Sequence, residues 1–80
     1  MKILIPAPVQ AKLKEAVLSA EEARQTVAWC EETGNKILKG GGFAGHLQIS
    51  KVTCWVEYTM DGEVATLTNV YAHRLQIKTD

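Results

Sequence analysis

The sequence predicts an α+β fold: two short consecutive helices packed on one face of a small antiparallel sheet dominated by a long β-hairpin. Three observations carry this. Two alternating apolar segments flank Asp61-Gly62, a capping box sits at Ser19–Glu22, and apolar residues ahead of that box recur at helical spacing.

The elements follow in chain order. Met1 to Ile5 is short and apolar and ends at Pro6. Proline cannot donate to a ladder, so this reads as an edge strand that stops there and pairs with the hairpin. A helix is expected from about Val9 to Leu18, with Pro8 in its first turn and Val9, Leu13, Ala16 and Val17 as its apolar face. Ser19 then caps a second helix, from about Ala20 to Thr33, in which Ser19 and Glu22 exchange bonds with each other's amides. Glu21 and Glu22 suit the positive end of its dipole. Gly34 fits the left-handed position that follows a helix. The inward stripe is Ala23, Val27 and Cys30, with Trp29 at the margin. Asn35 to Leu38 is a brief strand or a loop end, and Lys39 to Gly45 is a glycine-rich connector.

The hairpin is expected from residue 46 to 77. With Asp61-Gly62 as a two-residue turn, Met60 lies opposite Glu63, Tyr58 opposite Ala65, Val56 opposite Leu67, Cys54 opposite Asn69, and Val52 opposite Tyr71. Val52, Cys54, Val56, Tyr58, Ala65, Leu67 and Tyr71 then share an inner face. Trp55, Val64, Val70 and Ala72 fall among threonines on the outer one. Leu47 and Ile49 have the opposite parity from Val52 onward. A β-bulge at Ser50-Lys51 repairs the phase and sets Ile49 opposite His73 and Leu47 opposite Leu75. A break into two separate strands is the competing reading.

Composition bounds the rest. Eighty residues make one small domain, residues 1–80, burying roughly 60–65% of its unfolded surface. Nine basic and nine acidic residues cancel, which removes the electrostatic attraction that dominates phosphate affinity. Two helices ahead of a hairpin invite a nucleic-acid reading, but the second helix carries Arg24 against Glu21, Glu22, Glu31 and Glu32, so no nucleic acid is expected. Two cysteines are too few for a disulfide scaffold. The apolar run at Ile3-Leu4-Ile5 is too short for a signal peptide, so a cytoplasmic chain without membrane contact is the expectation.

Chemistry-bearing residues fall into a few groups. Cys30, Cys54, Asn69, Tyr71 and His73 form a strip of polar groups expected between the helix and the inner sheet face, a candidate small-ligand site. A Cys54–His73 dyad is not expected, because about four residues of ladder at ~3.3 Å each separate them by roughly 13 Å. Cys30, His46, Cys54 and His73 lack the spacing of a zinc site, and no metal or other cofactor is expected. His46 reads as a surface residue at the far end of the hairpin. Lys39-Gly-Gly-Gly-Phe follows a helix and enters a strand, the reverse of a phosphate loop. Arg74, Lys78 and Lys51 read as solvated charges.

No catalytic constellation emerges. The function expected is a non-catalytic interaction module, a small accessory or regulatory subunit that forms a homodimer or docks on a larger protein. Trp55, Val64, Val70 and Ala72 are its contact surface. The alternatives are a small-ligand-binding protein using the polar strip, and an enzyme whose site is completed across a dimer interface.

Overall fold

A computed structural model describes residues 1–74, so the expectations placed on Leu75, Ile77 and Lys78 lie outside the described residues. The elements are β1 (Lys2–Leu4), α1 (Ala7–Ala16), α2 (Ala20–Thr33), β2 (Ile37–Lys39), β3 (Gly42–Ile49), β4 (Val52–Asp61) and β5 (Val64–Arg74). The strands make one sheet in the order β1-β5-β4-β3-β2. β1 runs parallel to β5 and every other pairing is antiparallel. Both helices bury their apolar sides against the same sheet face, giving the expected α+β architecture.

The helices form for the anticipated local reasons. Ser19 Oγ accepts from the Glu22 amide at 3.0 Å, and Glu22 Oε1 accepts from the Ser19 amide at 2.9 Å. Gly34 ends α2 at φ 74°. Ala23, Thr26, Val27 and Cys30 are fully buried. Thr26 joins the stripe because its hydroxyl donates to the Glu22 carbonyl at 2.8 Å, leaving its methyl to pack. In α1 the end falls earlier than expected. Val17 takes a left-handed conformation, φ 55°, and its amide bonds back to the last turn. That turn swings Val17 into solvent, 76% exposed, and Leu18 into the core. The inward place expected of Val17 is therefore corrected to Leu18.

The sheet differs from the expected hairpin at three points. First, Ser50-Lys51 is a tight turn and not a bulge. Ile49 pairs with Val52 and Leu47 with Cys54, and Ser50 adopts φ 58°. The stretch before Val52 is therefore a separate strand, β3, and its apolar residues keep to the inner face by reversing direction. Gly42 to Gly45 belongs to that strand, so the connector shrinks to the turn at Gly40-Gly41. Second, Asp61 pairs with Val64, which leaves Gly62-Glu63 as the corner. Only Gly62 has positive φ there, 61°, the pattern of a Gly-X turn, which needs one left-handed residue where Asp-Gly needs two. Tyr58 consequently faces Leu67, not Ala65.

Third, the register shifts once more along β4–β5: Tyr58 pairs with Leu67 but Glu57 pairs with Asn69. Thr68 is the extra residue, and its hydroxyl donates to the Glu57 carbonyl at 3.1 Å. Beyond it every side chain of β5 changes face. Val56 meets Val70 and Cys54 meets Ala72, not Leu67 and Asn69. Val70 is buried at 3% and Ala72 packs on the core. Tyr71, expected inside, points outward.

The core lies between the helices and this inner face: Val9, Leu13, Leu18, Ala23, Val27 and Cys30 against Cys54, Val56, Tyr58, Ala65, Leu67 and Val70. Each large aliphatic side chain fully buried here contributes about 1.5–3 kcal/mol. One polar cluster ties the end of α2 to the sheet. Glu31 Oε2 accepts from Lys36 Nζ at 2.5 Å and from the Tyr58 hydroxyl at 2.6 Å, while the Lys36 ammonium sits 4.2 Å from the centre of the Phe43 ring. Burial pushes the Glu31 carboxyl up, but its bonds from Lys36 and Tyr58 outweigh that and hold it below its ordinary value. Burial first, then the bond to Glu31, raise the Tyr58 phenol far above its ordinary value.

α2 approaches β3 most closely at Gly45, where any Cβ would overlap Cys30 Sγ. Gly45→Ala is expected to cost about 1–3 kcal/mol in urea unfolding. Cys30→Ala in the same chain should recover part of that loss. Strict additivity of the two substitutions would rule out the steric cause. Tyr58→Phe is expected to cost about 1–2 kcal/mol at pH 7, by loss of its bond to an ionised carboxylate. A depressed folded-state carboxyl stabilises above its unfolded value and loses that contribution as pH falls through the folded one. The gap between wild type and Tyr58→Phe should thus narrow as pH drops below 4.5; denaturation curves across that range give the check.

Candidate functional site

Both helices occupy one side of the sheet, and the other side carries its side chains in orderly rows. Strand pairing sets three of them across β3, β4 and β5: Ala44–Glu57–Asn69, His46–Trp55–Tyr71 and Gln48–Thr53–His73. The middle row is a run of stacked rings. The His46 and Trp55 centroids are 4.3 Å apart with planes 25° from parallel, and Trp55 and Tyr71 are 5.9 Å apart at 3°. Neighbouring strands hold directly opposed side chains about 5 Å apart, so three consecutive ring-bearing positions stack without any further support. Trp55 in the middle is half-buried, while His46 and Tyr71 on its flanks are exposed.

A polar chain borders the stack on the side nearer Gly62. Glu57 Oε2 accepts from Lys39 Nζ at 3.2 Å and from Asn69 Nδ2 at 3.3 Å. Lys12 of α1 reaches around the β5 edge to donate to Asn69 Oδ1 at 2.8 Å. Two ammonium groups share this chain with one carboxylate, so the border keeps one net positive charge.

The sheet also changes width along its length. β1 covers only Val64–Thr66 of β5, and β2 covers only Gly42–Ala44 of β3. Among the described residues, five strands near Gly62 become three around the aromatic row. Beside the uncovered part of β3 runs a groove of about 920 Å³, with Trp29 and Ile37 on one side and His46, Gln48 and Trp55 on the other. Trp29 and Ile37 are 40% and 64% exposed.

The five residues expected to form one ligand strip are divided between the two faces. Cys30 and Cys54 are fully buried beneath α2. Asn69, Tyr71 and His73 lie beyond the Thr68 bulge and project on the opposite side. No common pocket joins them, and the backbone of the sheet stands between. The expected contact surface is also redrawn: Trp55 and Val64 keep the outer face, whereas Val70 and Ala72 belong inside. Reasoning from sequence missed His46 as the partner of Trp55, and it missed Lys39, Glu57 and Asn69 as one network. Treating the change of phase at Ser50-Lys51 as a turn would have set His46 opposite Trp55 at once.

Among the described residues no group of three or more histidine, cysteine or acidic side chains is placed to hold a metal ion. The same residues contain no helix long and apolar enough to cross a membrane. Compared with protein-family models, with curated proteins and with solved structures, the chain finds no match in any of the three.

The two thiols are placed as packing groups. Burial pushes both up from their ordinary value; for Cys30 the Glu31 carboxylate adds to it, and for Cys54 the bond with Thr26 opposes it. Protonated, enclosed thiols react slowly with alkylating agents. Native protein treated with iodoacetamide at pH 8 should therefore label at least ten times more slowly than protein in urea, read by intact mass. Rapid labelling of Cys54 in the native state would contradict its burial.

Proposed function

We propose that this chain is a non-catalytic protein-interaction module, a small accessory or regulatory subunit whose contact surface is the helix-free face of its sheet. The supporting observation is the His46–Trp55–Tyr71 stack, three rings at the centre of a face that neither helix covers. A stack of this kind has little to do for the fold, since the core is complete on the other side. Its large, rigid, amphipathic groups are what the centre of a protein interface is made from, because they bury much area and surrender little rotamer freedom. Gln48, Thr53, Thr66 and Thr59 around it provide a rim able to hydrogen-bond to a partner or to water. The near-neutral chain favours a protein over a polyanion as that partner. Two free buried thiols fit a reducing compartment and so support a cytoplasmic subunit.

Trp55→Ala removes the middle ring and should leave circular dichroism and the urea midpoint close to wild type, because the residue does not belong to the buried cluster. Association through this face should weaken at least tenfold, measured by calorimetry with an identified partner. Assembly of unchanged strength in Trp55→Ala would overturn the assignment of the contact surface to this face.

A further inference from the structure

We propose that two copies of this chain join through the uncovered edge of β3, pairing Leu47–Ile49 of each antiparallel across a twofold axis at Gln48. This goes beyond the reading of the open face as a contact surface: it names a second copy as a partner and a seam apart from that face. The observation that leads here is the gap in strand coverage. β2 stops at the Ile37–Ala44 pair, and the chain turns away at Ser50-Lys51. Between these limits, among the described residues, one side of β3 has no neighbouring strand, and an open strand edge is a template for another strand.

Proteins ordinarily guard such an edge with proline, lysine, a bulge or an inward charge. Gly45-His46-Leu47-Gln48-Ile49 contains no lysine and no proline. It pairs with β4 in unbroken register. Large apolar side chains are also exposed next to it, Trp29 on the helix side and Ile37 at the end of β2.

A second copy is the occupant that fits. Antiparallel pairing about a twofold axis lets a strand use one patch on both partners, so a suitable edge is complementary to itself. With Gln48 on the axis, Leu47 of each copy faces Ile49 of the other on the helix side, and the two Gln48 amides meet on the outer side. The inner faces of the two sheets then continue into each other, and Trp29 of each copy flanks the join. Charge allows the approach: the chain has formal net charge zero and the seam holds no carboxylate, lysine or arginine. Axis placement at Gln48 also leaves β2 of each copy clear of the partner's turn, which pairing further toward Gly45 would not.

Gln48→Cys tests the seam directly. Gln48 is exposed and the two native cysteines are buried, so the new thiol is the accessible one. Under mild oxidation it should give a disulfide-linked dimer within minutes, because opposed strand positions bring Cα atoms within disulfide range. Gln48→Lys places two ammonium groups on the axis and should raise the dimer dissociation constant at least tenfold by sedimentation, with unchanged circular dichroism. Glu63→Cys, exposed in the corner at the far end of the sheet from the seam, should crosslink no faster than denatured protein does. A monomer at 200 µM would overturn the proposal. So would a dimer that ignores Gln48→Lys yet dissociates in Trp55→Ala, which would leave the open-face reading standing while removing the edge. Loss of the dimer in Gln48→Lys with full retention in Trp55→Ala would support the seam and count against the open face as its cause.

Discussion

Thr68 is one residue more than β4 can match, and the choice of which half of β5 is buried depends on it. Without the bulge, a strand alternating from Leu67 would carry Asn69, Tyr71 and His73 into the core and leave Val70 and Ala72 outside. Sealing an amide and an imidazole under two helices costs several kcal/mol unless each finds a partner. The bulge instead sacrifices local ladder geometry, partly restored by the Thr68 hydroxyl on the Glu57 carbonyl. In return Val70 packs in the same cluster as Val9 and Leu13. The aromatic row exists for the same reason, since Tyr71 reaches the outer face beside Trp55 only after the phase has changed.

The open surfaces follow from what the short strands leave undone. β1 and β2 reinforce the end of the sheet that carries Gly62, where turns and termini would otherwise fray. Among the described residues they leave the opposite end three strands wide, with rings on its outer face and an unpaired edge on β3. The polar groups nearest this region are already engaged: Lys39, Glu57, Asn69 and Lys12 hold one another, and Lys36, Glu31 and Tyr58 form the cluster beneath. What remains available there is aromatic surface, the His46 and His73 imidazoles and backbone.

Much of the architecture was legible in the sequence where one residue type had one plausible job. The Ser19–Glu22 box and Gly34 bounded α2 correctly. Alternation correctly placed Val52, Cys54, Val56, Tyr58, Ala65 and Leu67 on the inner face, because moving the turn from Asp61-Gly62 to Gly62-Glu63 preserves parity. The failures share a physical origin. Ser50-Lys51 is not a dipeptide that advertises a left-handed turn, and Ser50 adopts one because the flanking strands pair. A bulge adds a single residue without a compositional mark, so the faces of Asn69, Val70, Tyr71, Ala72 and His73 came out inverted. The candidate ligand strip was lost with that inversion, whereas Trp55, on the near side of it, kept its place.

β1 and β5 have a consequence for how the molecule comes into being. Lys2 to Leu4 find their partners at Val64 to Thr66, so the earlier segment waits for one that lies far along the chain. The β3–β4 ribbon, closed by adjacent residues, needs neither β1 nor β5 to pair, and α2 can cover it. The nascent chain therefore passes through a stage in which the first strand is orphaned. Closure of a long loop is slow compared with hairpin formation. Chaperones that hold short apolar segments would have their opportunity in that interval.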